Sequence, residues 1–165
     1  MTQQQSSADL AELLQQGFRY ALSFTHERAS AEDILQDAWL SVLNAKGPIE
    51  KAYLFTSIRS RFFNQNKREK LVPMIPIDDH AEYVDNQIEE HSINFFSDSA
   101  EIEQALKCLR PIEREAFFLA AVEGYTAQEI ADLTSQPRGT VLSLIHRARK
   151  KMQSYFKTTS SEVLP

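Results

Sequence analysis

Arg138, Ser143, His146, Arg147, Lys150 and Lys151 set cations and small hydrogen-bond donors along a short stretch near the C-terminus. Such a mixture clamps phosphates and reaches base edges in a major groove. A second group, Arg59, Phe63, Asn66 and Lys70, recurs at spacings of four, three and four, so one helical face carries two cations, an aromatic ring and an amide. That surface can hold a nucleic-acid backbone electrostatically and offer amide groups to exposed bases. Asp33, Gln36, Asp37 and Leu40 fall within an arc of about 100° on a helix, an acidic, amide-bearing stripe with an apolar edge. The plainer reading of that stripe is a solvated acidic face. All three groups are binding chemistry. The four His stand singly at 26, 80, 91 and 146, Cys108 is the only cysteine, and no phosphate loop or nucleophile elbow occurs. Asp33 and Asp37, one turn apart, lack a partner base. No enzyme, no cofactor and no metal-ligand set is therefore expected.

The elements that must position these groups read as helices throughout, because apolar residues recur at three- and four-residue spacing and no strand alternation occurs. Leu10, Leu13, Leu14, Gly17 or Phe18, Ala21 and Leu22 mark a first helix of about four turns. A second is expected from Ser30, whose hydroxyl would cap it with Asp33 answering in a box-like pattern, to about Gly47-Pro48. Its core face would carry Ile34, Ala38 and Val42. A third runs from about Ile49 to Lys70 and interleaves Tyr53, Phe55, Arg59, Arg61, Phe62, Phe63, Lys67, Arg68 and Lys70, with Leu54, Phe55, Ile58 and Phe62 expected in the core. After Ile102 to Leu109 the pattern breaks at Pro111 and resumes to Gly124. Cys108, beside Leu106 and Leu109, reads as small core filling. Thr126 and Glu129 then form a capping box, Ile130, Ala131 and Leu133 give a short buried stripe, and Thr134-Ser135-Gln136-Pro137 stops it. A longer helix follows from about Arg138 to Phe156, with Val141, Ile145, Ala148 and Met152 inward. Capped short helix, turn and basic long helix make a helix-turn-helix, against the alternative of an ordinary hairpin whose last helix ends in cations that suit its dipole.

The 165 residues, 42% apolar with 4 Gly, can bury one or two modest cores. A net charge of -5 excludes a uniformly basic coat but leaves room for a local patch. Residues 71–105 hold no Lys or Arg and the carboxylates Asp78, Asp79, Glu82, Asp85, Glu89, Glu90, Asp98, Glu101 and Glu103. This stretch opens with Val72-Pro73-Met74-Ile75-Pro76 and reads as a tether. The expected fold is all-α: two small helical domains at 1–70 and 100–157, an acidic linker at 71–99 and a tail at 158–165. The lone cysteine fits a reducing cytosol, and the N-terminus lacks a basic segment followed by an apolar one, so a cytoplasmic protein is expected.

From Leu109, Pro111 and Arg114 through Glu123-Gly124, Glu129-Ile130-Ala131 and Gly139-Thr140-Val141 to His146-Arg147-Ala148-Arg149, the second half resembles the promoter-binding C-terminal domain of extracytoplasmic-function sigma factors. Tyr20-Ala21-Leu22, residues 31–39 from Ala31 to Trp39, and residues 52–59 from Ala52 to Arg59 are similar to the other domain of that family. The resemblance implies that Asp33, Gln36, Asp37 and Leu40 dock on the β′ clamp helices of RNA polymerase core. It implies that Arg59, Arg61, Phe63, Asn66, Lys67 and Arg68 serve the -10 element. Arg138, Thr140, Leu142, Ser143, His146, Arg147 and Lys150 would read the -35 element. Further implied are contact with the β flap, an anti-sigma partner, a linker running through the polymerase RNA channel, and nucleoid association within the holoenzyme. Tyr53 stands where that family commonly has Trp, Ser60 and Asn64 replace a usual Asn and Asp, and Leu142 and Leu144 occupy positions often held by Lys and Arg. The rival functions are a helix-turn-helix regulator that binds duplex without polymerase, and an adaptor that binds polymerase without reading DNA.

Overall fold

The computed structural model describes residues 2–69 and 100–162, all of whose regular elements are α-helices. The chain divides into two units, Met1–Ile75 and Pro76–Pro165. The tether expected at 71–99 lies outside the described residues.

The first unit packs three helices against one another: α1 (Thr2–Thr25), α2 (Arg28–Asn44) and α3 (Lys51–Glu69). Its interior is built on aromatic rings. Tyr20 stacks on Phe55 with centroids 4.3 Å apart and meets Phe24 edge-on at 4.9 Å, and Phe24 stacks on Phe62 at 4.8 Å. Leu54, Ile58, Ile34, Ala38 and Val42 complete the core, as their spacing requires. Gly17 lets α1 approach closely: a Cβ there would lie 2.9 Å from Leu35 Cδ1 and 3.0 Å from Leu54 Cδ2. The first helix is longer than the four turns expected, because the polar residues ahead of Leu10 continue the helix without an apolar stripe. Ser30 is not the N-cap of α2. His26, at φ 54°, turns the chain, Glu27 takes the extended cap position, and Glu27 C=O accepts from Ala31 N–H at 3.0 Å. The Ser30 hydroxyl lies in the first turn and donates to the Glu27 carboxylate.

The second unit comprises α4 (Ala100–Lys107), α5 (Pro111–Ala121), α6 (Ala127–Thr134) and α7 (Arg138–Glu162). Leu106, Leu109, Phe117, Ala148 and Met152 form a core against which Ile102, Ala121, Tyr155 and Phe156 pack. That packing explains why α7 outlasts its expected end: residues 158–162, expected as tail, continue the helix once Tyr155 and Phe156 are anchored. Cys108 is exposed rather than core. It follows the end of α4, where the chain turns toward Leu109, and its thiol faces the Gln104 carbonyl at 3.7 Å. The capping box of α6 forms as read: Thr126 Oγ1 accepts from Glu129 N–H at 3.2 Å, and Glu129 Oε2 accepts from Thr126 N–H at 2.7 Å. Ser135 closes α6 in the left-handed region at φ 53°, where the turn toward α7 begins.

Candidate polymerase and nucleic-acid interfaces

On α2, Asp33, Gln36, Asp37 and Leu40 all reach solvent, and Leu40 keeps 51% of its surface exposed. Behind them Ile34, Ala38 and Val42 are at most 3% exposed, so the stripe is held by a buried face of the same helix. Leu43 (47%) and Ile49 (59%) are further exposed apolar residues, Leu43 near the end of α2 and Ile49 in the connection to α3. Both lie off the core stripe of the pattern, which is the signal that marks them. The face pairs carboxylates and an amide with apolar area, which suits a protein partner that offers donors and an apolar strip.

Arg59 and Arg61, grouped together on α3, do not share one surface. Arg59 places its guanidinium 4.5 Å from the centre of the Phe63 ring, a cation–π contact. Phe63 is half-buried and leans edge-on against Phe62 at 5.3 Å and Phe24 of α1 at 5.8 Å. This pair belongs to the α1 side of the helix. Arg61 instead opens into a groove between α2 and α3 with Asp37, Ser41, Tyr53, Ser60 and Asn64. Arg61 follows Arg59 by two positions, and about 200° of helical rotation sends them to different sides. The side chains of Asn66, Lys67 and Arg68 lie outside the described residues. The groove was not expected from the sequence, yet it has a signal there: Tyr53, Ser57, Ser60 and Asn64 recur at spacings of four, three and four, a polar row legible once α3 is drawn as a helix.

In the second unit, Val141, Ile145, Ala148 and Met152 are buried as expected. Their burial turns Arg138, His146 and Lys150 to solvent, with Thr140, Leu142, Ser143 and Arg147 half-buried beside them. Arg149, also half-buried, lies on the Arg138 side of the same helix and joins this face; its place eleven positions after Arg138, three helical turns on, is the signal that marks it. Two readings need correction. Leu144 is fully buried, so it is a core residue and not a cation lost from the outward face. Lys151 is not a member of that face: its ammonium donates to Glu113 Oε2 on α5 at 2.7 Å. Glu113 is itself 1% exposed and also faces Arg110. Burial pushes its carboxyl upward, but the Lys151 and Arg110 hydrogen bonds and charges outweigh that and hold it below the ordinary glutamate value. At α6, the Thr126 backbone and side chain likewise lower Glu129.

The described residues contain no helix long and apolar enough to cross a membrane. Residues 99–152 match the family model described as sigma-70, region 4. The chain is 26% identical over 152 residues to the ECF RNA polymerase sigma factor SigE of Mycolicibacterium smegmatis, an alignment covering 88% of this chain and 59% of that protein. It is 28% identical over 138 residues to the RNA polymerase sigma factor CarQ of Myxococcus xanthus, covering 82% and 79% respectively. The chain thus spans less than two thirds of the length of the first of these relatives. A solved structure of the sigma factor RpoE in complex with the anti-sigma factor NepR, from Bartonella quintana, superposes with a TM-score of 0.65 at 23% identity, covering 93% of this chain and 97% of that one. This last likeness speaks for the fold.

Proposed function

The chain belongs to the extracytoplasmic-function sigma factors, and on that premise we propose that it directs bacterial RNA polymerase core to specific promoters and assists strand opening at the -10 element. The observation that carries the proposal is the pairing, in one chain, of a solvent-facing acidic and apolar stripe on α2 with a helix-turn-helix whose last helix turns Arg138, His146 and Lys150 outward. The first suits docking on the β′ clamp helices, the second suits duplex at -35 alongside the β flap. Arg59 and Phe63, together with Asn66, Lys67 and Arg68, serve the -10 strand, with Arg61 approaching from the α2 side. The protein works in the cytoplasm and at the nucleoid within the holoenzyme, and an anti-sigma protein restrains it. RNA synthesis itself is polymerase chemistry.

An adaptor that binds polymerase without reading DNA is favoured by leucines standing in place of cations on the outward face of the recognition helix, and Leu144, being buried, is not such a residue. Run-off transcription from a genomic fragment library with added core polymerase tests the proposal. Discrete transcripts that depend on this chain are expected. Tight duplex binding by the free protein, with no specific transcript from the reconstituted enzyme, would return the helix-turn-helix regulator.

A further inference from the structure

One carboxylate ties two helices of the second unit together. Glu113, in the first turn of α5, accepts at Oε2 from the Arg110 backbone N–H at 2.9 Å and from Lys151 Nζ at 2.7 Å. Its Oε1 accepts from Arg110 Nε and lies 3.2 Å from Nη2 of the same guanidinium. The carboxylate is buried, whereas Lys151 keeps 41% of its side chain exposed. Arg114, also buried, donates to the Leu109 carbonyl at 2.6 Å and closes the turn before α5. Lys151 turns toward α5, where Glu113 takes its ammonium, whereas Lys150, the residue before it, is turned to solvent. A cation there, engaged by a buried carboxylate, is poorly placed for phosphate and well placed to fix how α7 is rotated on α5.

We propose that Glu113 is a positioning residue for sequence readout: through Lys151 it sets the rotation of α7 and hence the aim of Arg138, Leu142 and His146, and Lys151 is a strut rather than a phosphate contact. The inference rests on the promoter-binding reading above. The strut must therefore govern discrimination between sequences more than it governs total charge attraction.

The test uses the full chain in holoenzyme with core polymerase. The probes are a duplex selected by the wild-type holoenzyme from a random-sequence library and a scrambled duplex of the same composition. Affinity for each is measured across a salt series. Lys151→Met is expected to lower the ratio of selected to scrambled affinity about tenfold, a loss typical of a coupled pair in a positioning network. Its salt slope should stay at the wild-type value, whereas Lys150→Met should flatten the slope by about one unit, as loss of a phosphate contact does. Lys151→Arg should restore discrimination. A protein merely less folded would lose affinity for both duplexes alike and leave their ratio unchanged. Glu113→Gln combined with Lys151→Met leaves no buried carboxylate deprived of its Lys151 partner, so it keeps the measurement possible if the single variant fails to fold, and it should show the same lowered ratio. A slope that falls by one unit in Lys151→Met, or an unchanged ratio in the double variant, overturns the assignment. If the wild-type holoenzyme selects no duplex at all, the promoter reading falls and this assignment falls with it.

Discussion

Asp37 stands on the exposed face of α2 while Ala38, the next residue, is fully buried, so a substitution at 37 changes the surface without entering the core. Asp37→Arg is expected to abolish copurification with core polymerase and to leave the helical circular dichroism signal unchanged, since one exposed charge reversal costs the fold well under about 1 kcal/mol. Retained copurification would remove the docking face from α2. Glu113 gives the opposite kind of residue, one whose effect runs through stability. Its folded carboxyl lies below the ordinary value of 4.5, so its contribution is fully present above that value and disappears as pH falls through the lower folded value. Glu113→Gln should therefore destabilise the chain by about 2 kcal/mol at neutral pH, the scale of a charged hydrogen bond lost from a buried site. The gap should close in urea titrations as the pH is taken below 4.5, because only the wild type has a proton to gain at this position. A gap that widens on acidification would reverse the sign of the linkage.

At the scale of the element, α6 shows both ends of a helix under separate control. Thr126→Ala removes the side-chain acceptor of Glu129 N–H and should cost about 1 kcal/mol. Ser135→Gly relieves a non-glycine residue at φ 53° and should gain up to about 1 kcal/mol. Thermal unfolding of the two variants should shift in opposite directions, and a double variant should come back near the wild type. Capping chemistry of this sort is local, which is why Thr126 and Glu129 sufficed to place the start of α6 from the sequence; the stop expected over Thr134-Ser135-Gln136-Pro137 begins one residue early, because Thr134 is still helical and buried. The core stripes of α2, α3 and α7 were legible for a similar reason: three- and four-residue spacing is a property of one helix. The misreadings are non-local. Ser30 has a capper's side chain, but the chain had already turned at His26, and only the packing of α1 on α2 fixes where that happens. Cys108 lies between buried Leu106 and Leu109 in sequence yet points outward at the α4 terminus. Lys151 reads as one more surface cation until α5 brings Glu113, 38 positions away, into contact. Arg59 and Arg61 look like a pair in the sequence and are separated by the helix that carries them.

Taken whole, the molecule offers binding surfaces of limited energy. Unwinding about ten base pairs at a mean stacking cost of roughly 1.4 kcal/mol per step requires on the order of 14 kcal/mol. Capture of one or two unstacked bases returns about 1 to 3 kcal/mol each. On α3 the aromatic area left for such capture is that of Tyr53 in the groove and the free part of Phe63, because Phe55 and Phe62 are committed to the core and Phe63 is half-buried against Phe24. A net charge of -5 further weakens the attraction of the isolated chain for a polyanion. On the proposed function, strand opening must then draw on polymerase for the remainder. Permanganate footprinting of a promoter selected by the holoenzyme should accordingly show reactive thymines around -10 with this chain and core polymerase together, and none with either alone. Phe63→Ala should weaken that reactivity by about fivefold to tenfold, the worth of roughly 1 kcal/mol or slightly more of stacking, while leaving protection of the -35 duplex in place. Reactive thymines produced by the free protein would mean that its own surfaces carry far more binding energy than the exposed side chains of α3 and α7 can supply.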